Sequence, residues 1–102
     1  MYAVIVRCHI KPENLADFQA AINDNARHSV LDEPGCRRFD VVQVDDDPTL
    51  IWLYEIYDDR AAFEQHITMP HFFRWRDASK DWFAEPNQVT FASSLFMSEE
   101  AN

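Results

Sequence analysis

Along residues 2–10 apolar and polar positions alternate, with Tyr2, Val4, Val6, Cys8 and Ile10 on one side and Ala3, Ile5, Arg7 and His9 on the other. A period of two is the mark of a β-strand. Pro12 ends the strand and suits the first turn of a helix. From there Leu15, Phe18, Ile22, Asn25 and Ser29 recur at helical spacing, which predicts a helix over residues 13–31. Glu33–Pro34–Gly35 breaks it, and Gly35, the only glycine in the chain, is expected to adopt a conformation that other residues resist. Phe39, Val41 and Gln43 then alternate against Arg38, Asp40, Val42 and Val44, a second strand. The acidic turn Asp45–Asp46–Asp47–Pro48 leads into a third strand, Thr49–Tyr57, apolar on both faces and so expected at the centre of a sheet covered on both sides. Asp58 is placed to cap a short helix carrying Ala62, Phe63 and His66. Thr68 and Pro70 interrupt it before a second helical run over residues 71–83. Residues 88–97 alternate once more.

The order is β-α-β-β-α-β with the second helix split. This predicts an α+β fold of the ferredoxin-like type, a split βαβ arrangement in an antiparallel sheet. One domain over residues 1–98 is expected, followed by a loose tail, 99–102. In this fold the first strand neighbours the third but not the second, so Cys8 and Cys36 should be too far apart to bridge.

Composition adds a motive for association. Aromatics make up 14% of only 102 residues, and a small domain cannot cover so much apolar surface alone. Homodimerisation is the expected remedy. A net charge of −9 repels polyanions, which argues against nucleic acid and anionic membranes as partners. No stretch has the roughly 20 apolar residues of a membrane helix, and the start reads as a strand rather than a leader. A cytoplasmic location is expected.

Several residues depart from this structural pattern. The inward stripe of the first helix turns polar at Asn25 and Ser29, with His28 one turn from Asn25. Buried amides and hydroxyls need partners, so these either cap backbone groups or line a wet cavity. Arg38 and Asp40 project from one face of the second strand, either as an exposed ion pair or with Asp40 as a base in a partly dry site. Glu55 sits in the most apolar strand. It is either an ion-pair partner for Arg7 or Arg38 or a proton acceptor with a raised pKa. His66 and His71 flank the break in the second helix. Their spacing across Pro70 does not put them on one helical face, so no metal site is expected. Beside Tyr54 or Tyr57 such a histidine can tie helix to sheet or work as an acid/base group. Trp75 is either core or pocket wall. No Walker loop, dinucleotide fingerprint or nucleophile elbow is present.

Two segments carry a family resemblance: EPGCRRFDVVQ (Glu33–Gln43) and LYEIYDDRAAFEQHITMPHF (Leu53–Phe72). Together they resemble the antibiotic biosynthesis monooxygenases, in the branch of quinol monooxygenases and autoinducer-2-processing proteins. The resemblance implies a dimeric α+β barrel, two sheets packed face to face, with a pocket between sheet and helices in each subunit. It also implies no cofactor: members oxidise quinol- or anthrone-like aromatics with O₂ and neither metal nor flavin. On that reading Asp40 or His66, with Glu55, supplies the base. Asn25, Ser29, Arg38, Tyr54 and His71 orient oxygens, while Phe39, Phe63 and Trp75 form the walls. The alternative is an isomerase of a small phosphorylated hydroxyketone, with Arg27, Arg38 and Arg74 as candidate phosphate ligands. A non-enzymatic dimeric binding module is the third possibility. A haem-degrading role fits poorly, because the first strand offers Arg7 and His9 where those members carry Asn.

Overall fold

The computed structural model describes residues 1–98; the expected tail, 99–102, lies outside the described residues. The first strand, β1, is Tyr2–His9, and a 3₁₀ turn at Pro12–Asn14 leads into helix α1, Leu15–Asp32. Strands β2 (Cys36–Val44) and β3 (Asp47–Tyr57) form a hairpin, followed by α2 (Arg60–His66), α3 (Pro70–Ser79) and β4 (Gln88–Ser93). The sheet order is β2-β3-β1-β4, every pairing antiparallel. This is the ferredoxin-like topology, with β3 at the centre and its helix layer split at Pro70. No helix among the described residues is long and apolar enough to cross a membrane.

Register assigns the faces. Val4 pairs with Glu55 and Phe91, and Phe39 pairs with Glu55, so these side chains share one face because alternate residues of a strand point the same way. This face packs on the helices and holds the core, in which Cys8, Ile10, Phe18, Ile22, Leu53 and Tyr57 are almost wholly buried. The other face carries Arg7, Arg38, Asp40, Trp52 and Tyr54. Cys8 and Cys36 are free, on strands that β3 separates. Burial pushes both thiols up to about 12, so they are inert apolar fillers.

Four local expectations are corrected. Gly35 does not take a positive φ. Its role is close approach: a Cβ there would lie 2.7 Å from the Ala62 Cβ of α2. The cap of α2 is Asp59 rather than Asp58, accepting a hydrogen bond from the Ala62 amide at 2.9 Å. Helix α3 ends at Ser79 instead of continuing to Phe83, because Phe83 turns back to bridge Ile10 at the end of β1. Strand β4 ends at Ser93, short of Met97, since β1 begins at Tyr2 and its pairing ends with the Tyr2–Ser93 pair.

Candidate functional site

The break between α1 and β2 leaves a carboxylate under the helix layer. Glu33 follows the last turn of α1, its backbone amide donating to the Ser29 carbonyl at 3.2 Å, and it is only 7% exposed. His66 ends α2 and His71 begins α3, so the split helix delivers two imidazoles to the same place. The Nδ1 of His66 lies 2.8 Å from a Glu33 carboxylate oxygen, and the Nε2 of His71 bonds that same oxygen. Burial works to raise the Glu33 pKa, but the hydrogen bonds from His66 and His71 outweigh it and hold the carboxyl below its ordinary value. An ionised carboxylate can only accept, so both facing nitrogens carry protons. With Nδ1 committed to Glu33, the Nε2 of His66 is the nitrogen left as an acceptor.

Beside this cluster a cavity of about 400 Å³ opens between the sheet and the two short helices. His66, Glu55 and Asn25 supply polar groups to its lining, and Phe39, Phe63, Phe72 and Phe91 supply aromatic wall. Glu55 comes from the centre of β3 and is 5% exposed. The Tyr57 hydroxyl donates to its carboxylate at 2.6 Å. Burial nevertheless dominates and raises the Glu55 pKa to about 7, as expected for a carboxyl in an apolar site. Burial and the neighbouring Glu55 push the Tyr57 phenol up as well. Glu55, able to exchange a proton near neutrality, and the imidazole of His66 therefore face one largely apolar chamber.

The sequence-derived candidates separate into two sets. Asn25, Phe39, Glu55, Phe63, His66 and Trp75 line the cavity together. Ser29 and His71 lie behind it: Ser29 Oγ donates to the Asn25 carbonyl at 2.6 Å and stands 3.4 Å from His66 Nδ1. The polar stripe of α1 thus does both jobs, Asn25 facing the cavity and Ser29 satisfying backbone. Arg38, Asp40 and Tyr54, expected around the same substrate, do not line this cavity. They stand on the opposite face of the sheet, where Arg38 Nε pairs with Asp40 at 2.5 Å and Tyr54 is 37% exposed. The ion pair envisaged for Glu55 is also corrected, since its partner is Tyr57 while Arg7 reaches Glu85. Arg27 and Arg38 border a separate open groove, and Arg74 pairs with Asp24 on the outer helix surface at 3.1 Å.

Glu33 and Asn87 were missed. Glu33 reads as part of a helix-breaking turn, and only its combination with two downstream histidines signals more. The spacing argument against His66 and His71 meeting fails because the helix break, rather than one helical face, brings them together. Their ligand atoms and that of Glu33 all lie within 4.8 Å of one another, a constellation in which one nitrogen of each imidazole bonds the same carboxylate oxygen.

Comparison with known proteins bears on both fold and chemistry. An isomerase of Yersinia enterocolitica, named for (4S)-4-hydroxy-5-phosphonooxypentane-2,3-dione, is 32% identical over 88% of this chain and 93% of that relative. A Klebsiella pneumoniae isomerase of the same name is 32% identical over 86% and 89% of the two chains. Among solved structures, a Nitrosomonas europaea protein described as a candidate antibiotic biosynthesis monooxygenase superposes with a TM-score of 0.90 at 38% identity, covering 94% of this chain and all of its own. A Mycobacterium tuberculosis protein gives a TM-score of 0.88 at 26% identity, covering 96% and 98%. The expectation of a quinol monooxygenase is corrected by the curated relatives, which are named for isomerisation and not for oxygenation. The model of the antibiotic biosynthesis monooxygenase family matches residues 1–78, and the chain belongs to that family.

Proposed function

We propose that the protein is an isomerase that interchanges a carbonyl and the neighbouring hydroxyl of a small hydroxycarbonyl compound. The observation that carries this reading is the pairing, in one apolar cavity, of His66 with its Nδ1 fixed by Glu33 and of Glu55 with a pKa of about 7. The names of the Yersinia and Klebsiella relatives support it. In the reaction, Nε2 of His66 takes the proton from the hydroxyl-bearing carbon. The electron pair moves into the adjacent C–C bond and the carbonyl oxygen gains a proton, giving an enediol. Glu55 carries the proton between the two oxygens, and His66 returns a proton to the former carbonyl carbon. One proton moves from carbon to carbon, one moves from oxygen to oxygen, and nothing is oxidised overall. Asn25 holds a substrate oxygen from the α1 side, and Glu33, with His71 behind it, keeps the His66 ring in the required tautomer.

The test is conversion of the relatives' hydroxydione, followed by NMR in D₂O so that carbon deprotonation is seen even without net turnover. Exchange or conversion that is lost in His66→Gln supports the reading. Ligand binding with neither exchange nor conversion means a binding module.

We further propose a homodimer formed through the open face of the sheet. Trp52, Tyr54 and Val42 are at least a third exposed there, and Leu95 and Phe96 beyond β4 are almost fully exposed. Burying such apolar surface is the usual driving force for association. Sedimentation of wild type and Trp52→Glu tests it: a monomeric wild type overturns the proposal, and dissociation of the variant supports it. Two free buried thiols are compatible with a reducing, cytoplasmic setting.

A further inference from the structure

The cluster behind the cavity brings three ligand atoms to one point. The Nδ1 of His66 and the Nε2 of His71 meet a single Glu33 oxygen, and the ligand atoms of all three lie within 4.8 Å of one another. Three elements deliver them: Glu33 caps α1, His66 ends α2 and His71 opens α3. Two imidazoles and a carboxylate form a donor set that suits zinc and its first-row neighbours. Ligands about 2.0–2.2 Å from such an ion lie roughly 3–3.5 Å from each other. To admit one, the imidazoles need to draw back from the carboxylate by less than about 1 Å.

Charge gives a second, independent reason. Glu33 and Glu55 are both buried, and each is close enough to His66 to feel its field. Their hydrogen-bond partners are His66, His71 and Tyr57, none of which carries a fixed positive charge. A divalent cation on Glu33 would balance two enclosed carboxylates where uncompensated charge is costly.

We infer that Glu33, His66 and His71 bind one divalent transition-metal ion of the zinc class, behind the cavity wall. Neither Glu33 nor His71 lines the cavity, so the ion acts on a substrate only through His66. With metal on Nδ1, the proton of the ring sits on Nε2, and the acceptor facing the cavity becomes a donor. The loaded protein keeps its pocket and loses its base. That silencing rests on the isomerase reading; metal binding does not.

The test uses the full chain, stripped of metal by a chelator. Zn²⁺ is supplied both by incubation and by refolding from urea, which opens the buried ligands to the ion. Retained metal is counted by atomic emission after gel filtration, and Co²⁺ reports coordination through its visible spectrum. One Zn²⁺ per chain is expected, with a raised Tm because the folded state alone holds the site. His71→Gln and Glu33→Gln should each weaken Zn²⁺ binding by more than the roughly 10–100-fold lost with an outer-shell partner. A competing surface set is His28 with Asp24 and Asp32, at 3.3 and 2.8 Å; His28→Gln should leave binding unchanged. In D₂O, Zn²⁺ should slow carbon–hydrogen exchange at least tenfold without displacing the hydroxydione. No retained metal by either route, or binding that survives both ligand variants, overturns the site. Unchanged exchange in the loaded protein overturns the silencing. Metal-free protein that neither exchanges nor converts removes the isomerase reading and leaves the metal site standing.

Discussion

Two acid–base groupings lie on opposite faces of the sheet: Glu33 with His66 on the helix side, beside Glu55 of β3, and Arg38 with Asp40 of β2 on the open side. Toward the helices, Phe39 stands against Glu55; toward the open side, Asp40 stands against Tyr54. The side chains of Arg38 and Asp40 are each more than a third exposed, whereas those of Glu33 and His66 are nearly inaccessible at 6% and 2%. Both groupings pair a base-capable carboxylate with a cationic or titratable partner at hydrogen-bonding distance. What separates them is the surrounding medium: water screens one, and aromatic side chains enclose the other. Residue type proposes a catalytic group, but burial decides whether its proton affinity can be moved far enough to matter.

The largest effect expected from that difference belongs to His66. Replacing it by Gln removes the nitrogen facing the cavity while keeping a polar side chain near Glu33. On the proposed reading, conversion should fall by about 10²–10⁴-fold, the range for loss of a general base. Circular dichroism and thermal melting of the same sample establish that the fold persists. A variant that keeps more than a tenth of the wild-type rate removes His66 from the chemistry.

Next comes Glu33, where the enclosed grouping differs most from the exposed one in stability. Glu33→Ala leaves two imidazoles facing each other without their shared acceptor. Breaking a buried charged partnership typically costs about 3–5 kcal/mol, to be read from urea denaturation at pH 7. The sign with pH follows from its lowered pKa. Such a group stabilises the fold above the unfolded carboxyl value near 4.3, and the contribution is lost as pH falls through the lower folded value. Wild type and variant should therefore converge in strong acid. If they differ by less than 1 kcal/mol at neutral pH, the cluster contributes little to stability.

Glu55 works in the opposite sense. Its folded pKa of about 7 exceeds the unfolded value, so the folded protein binds the extra proton between roughly pH 4.3 and 7. Stability from this group is fully present below that window and declines as pH rises through it, by about 3–4 kcal/mol in total. Glu55→Gln, which retains an acceptor for Tyr57, should abolish the decline and become more stable than wild type at pH 8. Denaturation midpoints at pH 5 and pH 8 give the comparison. Parallel slopes in the two proteins would show that Glu55 ionises normally.

Much of the architecture was legible because period alone carries it. The alternation of β1 assigns its core face, and the two-sided apolar run of β3 predicts its central place. The chamber was partly legible for the same reason. Asn25, Glu55 and His66 are polar residues at positions the period assigns to the interior, and interior polarity is the signal that finds them. Glu33 follows no period, because it sits in a turn whose path sequence does not specify. Asn87 lies in the irregular segment before β4, and Asp40 drew attention by chemistry although its register points away from the helices. Loops hide functional groups, then, and strands can advertise the wrong ones.

The smallest effect is the one that isolates the comparison. Asp40→Asn removes the charge from the exposed pair without changing shape. A pair this open to water, at 35% and 38% side-chain exposure, should contribute within about 0.5 kcal/mol of stability, and conversion should stay within twofold of wild type. The same conservative change at Glu55 alters the pH dependence of folding, so the two amide variants form a matched set across one sheet. A loss of activity in Asp40→Asn comparable to that of His66→Gln would mean that the open face joins the chemistry. In a dimer built on that face, Asp40 would then be enclosed by the partner, and the exposure that now distinguishes the two groupings would disappear on association.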